Sequence, residues 1–254
     1  MDLREVIDSI WESTKQGIYF PQEWKGKLSM EEGYQVQLGL LEKHLAGGQV
    51  QAGWKVGLTA KAIQDQLAYH ERVFGFLLES THRPSETLFT FDELLAPCFE
   101  TEICVTLTED LKGPDITPEQ ARKAIGLVAP SFELIERRGN FSADLPLSMT
   151  DNVQARYFVT GQEQALDKSI ELTSLAMEIV INGEVVDQAD ASEVLGGPES
   201  SVAWLANVLA LYNKKLEAGT QIMTGSLTKQ YPVGQGDYIE AMFPLLGSVA
   251  MEFE

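Results

Sequence analysis

Two glutamates stand two residues apart in the segment FETEICVTL, residues 99 to 107. Its apolar residues predict a β-strand, in which successive side chains point to opposite faces. Glu100, Glu102 and Cys104 therefore share one face, and Ile103 lies on the other. Two neighbouring carboxylates on one face would either bind a divalent cation or form the solvated side of a half-exposed strand.

A third carboxylate, Glu133, lies in the apolar segment APSFELI between a phenylalanine and a leucine. A carboxylate in such a segment is costly to bury unless a cation compensates its charge. Mg²⁺ and Mn²⁺ prefer oxygen ligands in octahedral geometry. If Glu133 meets Glu100 and Glu102, the three side chains would suit such an ion.

Lys55, in GWKVGLT, has two interpretations. It is a surface lysine whose stem covers apolar groups, or an acid/base and anion-binding group in a desolvated pocket. The segment TGSLT, residues 224 to 228, is either an ordinary turn or a set of N–H and O–H donors for a carboxylate, with Ser226 and Thr228 among them.

The composition is strongly acidic, with 38 acidic and 19 basic residues among 254 and a formal net charge of −19. This charge argues against nucleic acid and anionic membranes as partners, because both attract basic surfaces. An anionic ligand would need local positive charge from a metal ion or from a few cations such as Arg137 and Arg138.

We expect a cytoplasmic protein without a membrane span. The N-terminus lacks the basic start and apolar stretch of a signal peptide, and no segment approaches 18 consecutive apolar residues. Two cysteines, Cys98 and Cys104, are too few for a disulfide framework. CxxC and HExxH motifs, which would indicate zinc, do not occur.

The order of predicted elements indicates a mixed α/β (α+β) fold with a curled sheet. Helices dominate residues 1–80, including one that begins with the capping box Ser29 and Glu32, and another over 60–70. Strands dominate residues 81–254, and both parts are expected to form one structural unit. Helices starting at TPEQARKAIGLVA and PESSVAWLANVLALYNKKL interrupt the strands, and INGEVV predicts a hairpin. GxGxxG and P-loop motifs do not occur.

Several segments follow one another in an informative order along the chain. These segments are WKVGLT, FETEICVTL followed by DLKGP, PSFELIERR, DN at 151 to 152, EIVINGEVV, VLGGPESSVAWLANVL, LEAGTQIMTGSLT, GD at 236 to 237 and LGSV near the end. In this ordered set the chain resembles the 2-oxo-4-pentenoate hydratase and 4-oxalocrotonate decarboxylase family, which has the fumarylacetoacetate hydrolase-like fold. The resemblance covers roughly residues 50–254.

The resemblance implies a rolled mixed β-sheet, a small N-terminal helical part and a homo-oligomer, with possible association with a pathway enzyme. It implies Mg²⁺ or Mn²⁺ bound by Glu100, Glu102 and Glu133, and Lys55 as the acid/base and substrate-contact residue. The positions expected to bind a small anionic 2-oxo acid are Arg138, Asp151, Gln154, Ser226 and Thr228.

A divalent cation binds the carboxylate and carbonyl oxygens of a 2-oxo acid and stabilises the enolate that hydration and decarboxylation share. The first hypothesis is therefore a lyase that hydrates a 2-oxo-4-enoate or 2-hydroxy-2,4-dienoate. Decarboxylation of a 2-oxo-3-enedioate is the second. A C–C bond hydrolase of the same fold, or a non-catalytic partner subunit, are further alternatives.

The sequence departs from hydratases of the family at Val73, where they commonly carry an aspartate that is expected to transfer protons. Water addition then requires a substitute, for which Glu71, Glu79 and His70 are the candidates. Decarboxylation instead requires a cation for the second carboxylate, so that Arg137 or Arg138 would have to face the pocket.

Overall fold

The computed structural model describes residues 1–61, 64–65 and 68–254. The helix predicted over 60–70 includes the four remaining positions, so its outcome lies outside the described residues. Within the described part of the chain, none of the helices combines the length and the apolar character that crossing a membrane requires.

Five α-helices and fourteen β-strands lie in the described residues. The helices are α1 (Leu3–Lys15), α2 (Met30–Ala46), α3 (Pro118–Ala124), α4 (Leu145–Thr150) and α5 (Gly197–Ala210). The strands are β1 (Gln51–Gly57), β2 (Val73–Leu78), β3 (His82–Pro84), β4 (Thr87–Phe89), β5 (Pro97–Leu107), β6 (Ile125–Glu136), β7 (Ala155–Thr160), β8 (Gln164–Ala165), β9 (Ala176–Ile181), β10 (Glu184–Asp190), β11 (Gln221–Met223), β12 (Tyr231–Pro232), β13 (Tyr238–Phe243) and β14 (Gly247–Phe253).

Local signals place the N-terminal helices. The predicted capping box is present at the start of α2: the Ser29 hydroxyl accepts from the Glu32 N–H and the Glu32 carboxylate accepts from the Ser29 N–H. Gly47 ends the helix. Helix α1 buries Val6 and Ile10 in a small apolar cluster shared with α2, so that the two helices form one layer.

The helix predicted from TPEQARKAIGLVA is half wrong. It begins as expected, with Thr117 as the capping residue of α3, but it ends at Ala124. The apolar run that follows is strand β6, which pairs with β5 from Ile125 to Glu136. Apolar runs that are buried on both faces carry no amphipathic pattern, and tertiary pairing decides their conformation.

The longer sheet is rolled, as predicted. Its strand order is β2-β1-β11-β5-β6-β7-β3, with β12 and β8 paired to β5 and β6. The two strands at opposite ends of this order, β2 and β3, are joined by the three residues Glu79–Thr81. Such a short link requires the sheet to curl until its ends approach one another. The pairs β1–β11 and β3–β7 are parallel and the others antiparallel, which makes the sheet mixed. Strands β1 and β2 precede residue 80, so both parts of the chain contribute to it.

A second sheet, ordered β10-β9-β13-β14-β4, packs with α5 against one face of the roll and forms the main apolar core. Its β9–β10 hairpin turns at Asn182 and Gly183, both with positive φ (53° and 84°), which confirms the hairpin predicted from INGEVV. On the opposite face of the roll, a small apolar cluster of Leu77, Cys104, Phe158 and Met223 adjoins the carboxylates.

Candidate metal centre

Two antiparallel strands bring the predicted carboxylates together. Glu100 on β5 lies opposite Glu133 on β6, and Glu102 follows two residues later on the same face of β5. One carboxylate oxygen from each of the three side chains lies within 4.8 Å of the others. The arrangement is that of three oxygen ligands around one cation.

Burial excludes the solvated-edge interpretation of this strand. Glu102 is fully buried and Glu133 is 2% exposed. One oxygen of Glu102 accepts from the Gly225 N–H at 2.8 Å, whereas the other, Oε1, is buried without a hydrogen-bond partner among the described residues. A buried carboxylate oxygen without a donor is costly unless a cation binds it, so the residues present fit a divalent ion.

The electrostatics of the triad agree with this fit. Burial, followed by the charges of Glu133 and Glu100, holds the pKa of Glu102 well above its usual range. Burial also raises the pKa of Glu133 to about 7, although the nearby Lys55 ammonium counteracts part of this effect. A divalent cation would reverse both shifts, since it favours the ionised carboxylates.

Lys55 belongs to the same centre, and its interpretation as a surface lysine is wrong. The side chain on β1 is 3% exposed. Its Nζ donates to Glu133 Oε1 at 2.5 Å and to the Val153 carbonyl oxygen at 3.1 Å. The ammonium is therefore fixed between a candidate metal ligand and a backbone carbonyl, in a position to hold or move a proton.

A cavity of about 380 Å³ opens above Lys55 and Glu100. Apolar side chains form one part of its wall: Val73, Ile135, Phe141 and Val153. Polar and charged side chains form the other part: Arg137, Asn140, Ser142, Lys229 and Gln230 among them. The volume and the mixed lining suit a small organic acid.

The residues predicted to bind substrate fall into two groups. Gln154, Ser226 and Thr228 line the cavity, and substrate binding by them stays a prediction. Arg138 and Asp151 do not line it: Arg138 Nε donates to both oxygens of Asp151 at 3.0 Å, and Arg138 Nη1 donates to Glu136 at 3.1 Å. The charge of Arg138 is thus compensated by the buried carboxylates of Asp151 and Glu136, and the position of its side chain does not support direct contact with a substrate.

The three substitutes for the acid missing at Val73 lie elsewhere. Glu71, Glu79 and His70 are exposed and do not belong to the described lining of the cavity. The ring of His70 lies 3.5 Å from Asp65 instead. Val73 itself is fully buried and forms part of the cavity wall. The positions of Glu71, Glu79 and His70 therefore do not support the proton-transfer role that was expected of them.

Sequence reasoning missed two neighbours of the carboxylates. Gln230 donates to Glu100 at 2.7 Å, and nothing in the sequence near Gln230 indicated this contact. The TGSLT segment was expected to supply donors for a ligand carboxylate, but its Gly225 N–H binds Glu102 instead. The glycine is required there, since its φ is +112° and a Cβ would lie 2.3 Å from the Thr59 hydroxyl.

Comparisons with known proteins find relatives over most of the chain. Residues 55–254 match the model of the family described as Fumarylacetoacetate (FAA) hydrolase C-terminal. A 2-hydroxyhexa-2,4-dienoate hydratase from Comamonas testosteroni is 32% identical over 89% of this chain and 87% of the relative. A 4-oxalocrotonate decarboxylase from Pseudomonas sp. (strain CF600) is 34% identical over 89% and 86%.

Among solved structures, the 4-oxalocrotonate decarboxylase from Pseudomonas putida G7, complexed with magnesium and adipate, superposes with a TM-score of 0.93. It is 32% identical, and the match covers 99% of this chain and 98% of the other. The family match spans most of the chain, and relatives above 30% identity share nearly its whole length. This protein therefore belongs to the fumarylacetoacetate hydrolase family, and the relatives that it matches include hydratases and decarboxylases.

Proposed function

We propose that this protein is a divalent-metal-dependent lyase that hydrates a small 2-oxo-4-enoate or 2-hydroxy-2,4-dienoate. The observation that carries the proposal is the convergence of Glu100, Glu102 and Glu133 beside the buried Lys55. Glu100 and Lys55 also line a cavity of suitable size. Mg²⁺ or Mn²⁺ held by the triad would supply the positive charge that a 2-oxo acid and its enolate require.

The protein's own groups would act around that charge. Lys55 Nζ is the buried proton-transfer group next to the triad, and its hydrogen bond to Glu133 keeps it in place. Gln154, Ser226 and Thr228 lie where they would orient the polar end of the substrate. Val73 and Val153 would contact its carbon chain.

Decarboxylation of a 2-oxo-3-enedioate is the second candidate, and two observations favour it. Val73 leaves an apolar wall where a hydratase of this family commonly has an acid. Arg137 and Lys229 line the cavity, and within the described residues neither forms an ion pair. Unpaired cations at the cavity of so acidic a protein suit the second carboxylate of a dicarboxylate.

We also propose that this protein forms a homo-oligomer, which can associate with a pathway enzyme. Light scattering on the purified protein tests the first part, with a monomer as the contrary outcome. Binding of the pathway enzyme that supplies the substrate tests the second.

One pair of assays tests the function. The purified protein with Mg²⁺ is incubated with 2-hydroxypenta-2,4-dienoate and, separately, with a 2-oxo-3-enedioate, while diene absorbance and CO₂ are measured. We expect Mg²⁺-dependent loss of the diene without CO₂. Release of CO₂ without a hydration product would establish the second candidate instead, and no turnover of either compound would overturn both.

A further inference from the structure

The segment Asn152-Val153-Gln154, between α4 and β7, has an unusual backbone. Its three residues have positive φ angles of 50°, 54° and 61°. L-residues rarely adopt this left-handed conformation in succession, and a β-branched residue such as valine disfavours it most. Surrounding contacts must hold such a conformation, and strained segments of this kind concentrate at functional sites. We call this segment the left-handed turn.

Asn152 ties the left-handed turn to strand β2. Its Oδ1 accepts from the Phe76 N–H at 2.8 Å, and its Nδ2 donates to the Phe76 carbonyl at 2.9 Å. The neighbouring Gly75 makes this approach possible, because a Cβ there would lie 2.8 Å from Asn152 Oδ1. The amide of Asn152 thus acts as an extra strand residue against β2.

Arg138 ties both ends of the same turn. Its Nη2 donates to the carbonyl oxygens of Asp151 and Ala155, each at 3.1 Å, and these residues directly precede and follow the left-handed turn. The guanidinium is 6% exposed and also binds the Asp151 carboxylate. One buried arginine therefore fixes the distance between the two ends.

The left-handed turn acts on Lys55 through the carbonyl of Val153. The Lys55 ammonium has three N–H groups. One donates to Glu133 and one to Val153 O. Because the ammonium is tetrahedral, these two contacts fix the direction of its third N–H. Lys55 lines the cavity, so the direction of this N–H matters for a ligand bound there.

We propose that Asn152 and Arg138 are positioning residues that hold the left-handed turn so that Val153 fixes the direction of the Lys55 ammonium. The catalytic consequence rests on the proposed function, in which Lys55 transfers a proton. The geometric consequence does not depend on it. Neither residue lines the cavity, so their replacement alters the orientation of Lys55 without removing a substrate contact.

The test compares Asn152→Gly with the matched control Asn182→Gly. Asn182 is also left-handed, with φ of 53°, and its amide makes two similar contacts, to Tyr238 N and Asp237 Oδ1 at 2.9 Å. It lies in the β9–β10 hairpin, away from the cavity lining. Glycine tolerates positive φ at either position, so both variants lose only the amide contacts.

We expect Asn152→Gly to lower kcat by about tenfold to a hundredfold while KM changes less than about threefold, because the proton-transfer group is misplaced by a small distance. Asn182→Gly should keep the wild-type kcat. Equal kcat values for the two variants, with wild-type folding by circular dichroism, would overturn the proposal.

A second readout does not require turnover. Acetylation of Lys55 by acetic anhydride, followed by peptide mass spectrometry, should be faster in Asn152→Gly than in the wild type or Asn182→Gly. If the wild type shows no lyase activity, the proposed function fails and this rate alone decides the inference. If Asn152→Gly does not fold, Asn152→Asp replaces it, since it keeps the acceptor for Phe76 N and puts a charged carboxylate oxygen, which cannot donate, opposite the Phe76 carbonyl. Wild-type kcat and labelling in that variant would also overturn the proposal.

Discussion

Lys55 and Glu133 form a buried ion pair that joins the proposed proton-transfer group to the candidate metal ligands. Their closest atoms are 2.5 Å apart, and their side chains are 3% and 2% exposed. A cation bound by the triad would share the Glu133 carboxylate with the lysine. The Glu133 carboxylate would therefore be compensated by the Lys55 ammonium, by the metal ion or by both. For this reason the effects of removing the lysine and of removing the metal on stability should not be additive.

Replacing Lys55 with methionine tests this link. Turnover should fall by about 10²-fold to 10⁴-fold, since the proposed acid/base group is lost. Without metal, the buried Glu133 would lose its ion-pair partner, so the free energy of unfolding in EDTA should fall by about 3–5 kcal/mol. Mg²⁺ should restore part of this stability because it compensates the same carboxylate.

Urea unfolding with and without Mg²⁺, together with steady-state kinetics, measures both effects. Lys61→Met is the control, because Lys61 is exposed and its one ion pair within the described residues is with Asp65. A Lys55→Met enzyme with wild-type turnover would show that the buried lysine has no catalytic role.

Replacing Glu102 with glutamine should remove metal binding without unfolding the protein. The amide oxygen can still accept a hydrogen bond from the Gly225 N–H. The other carboxylate oxygen is replaced by an uncharged NH₂ group, which cannot bind a cation. We expect the affinity for Mg²⁺, measured by calorimetry, to fall by at least about 100-fold, and Mg²⁺-dependent turnover to be abolished. The exposed Glu184 provides the matched control Glu184→Gln. Wild-type affinity in Glu102→Gln would exclude this carboxylate as a ligand.

The binding of metal should depend on pH. Burial raises the pKa of Glu133 from 4.5 to about 7 and that of Glu102 also rises, whereas the metal binds the ionised carboxylates. Protons must therefore leave on binding, and Mg²⁺ affinity should increase as the pH rises toward and through 7. Calorimetry in buffers of different ionisation enthalpy counts the protons. An affinity that stays constant between pH 5.5 and 8 would contradict the expectation.

The stability of the metal-free protein should show the opposite trend. A carboxyl whose pKa is raised by folding contributes stability that is present below its unfolded pKa and lost as the pH rises through its folded pKa. Burial raises the pKa of Glu133 to about 7 and that of Asp151 to about 6. Glu133 therefore makes the protein less stable as the pH rises from 4.5 to 7, and Asp151 does so from 3.8 to 6. Unfolding in EDTA across this range measures the loss, and Mg²⁺ should stabilise most near pH 7 and above.

Some features could be predicted from the sequence because their causes are local. The capping box at Ser29 and the Asn182-Gly183 hairpin depend on residues a few positions apart. The two glutamates of β5 share a face because strands alternate, and Glu133 could be added because an unpaired carboxylate in an apolar segment needs compensation.

Other features depend on contacts between distant residues and could not be predicted. Residues 125–129 continue the apolar pattern of α3, and their pairing with β5 makes them the start of strand β6 instead. Arg137 and Arg138 are adjacent in sequence, yet only the first lines the cavity and the second is buried against Asp151. Arg138 is buried where it binds both ends of the left-handed turn. No local sequence motif predicts this turn, since valine normally avoids positive φ.

The two adjacent arginines give a matched pair of variants for a measurement of stability. Arg138→Gln should lower the free energy of unfolding by about 3–5 kcal/mol, because Asp151 and Glu136 would lose a buried partner. Arg137→Gln should change it by less than about 0.5 kcal/mol, since Arg137 is exposed.

Binding should depend on Arg137 in a way that identifies the substrate. The Arg137→Gln and Lys229→Gln variants each remove one of the two cavity-lining cations that form no ion pair within the described residues. If these cations bind a second carboxylate, each variant should weaken inhibition by 2-oxoadipate about tenfold, because a charge-assisted hydrogen bond is lost. Inhibition by 2-oxohexanoate, which lacks that carboxylate, should stay unchanged. Equal losses for both compounds would mean that the cations act on the 2-oxo acid end or on the general potential of the cavity, and the argument for a dicarboxylate substrate would fail.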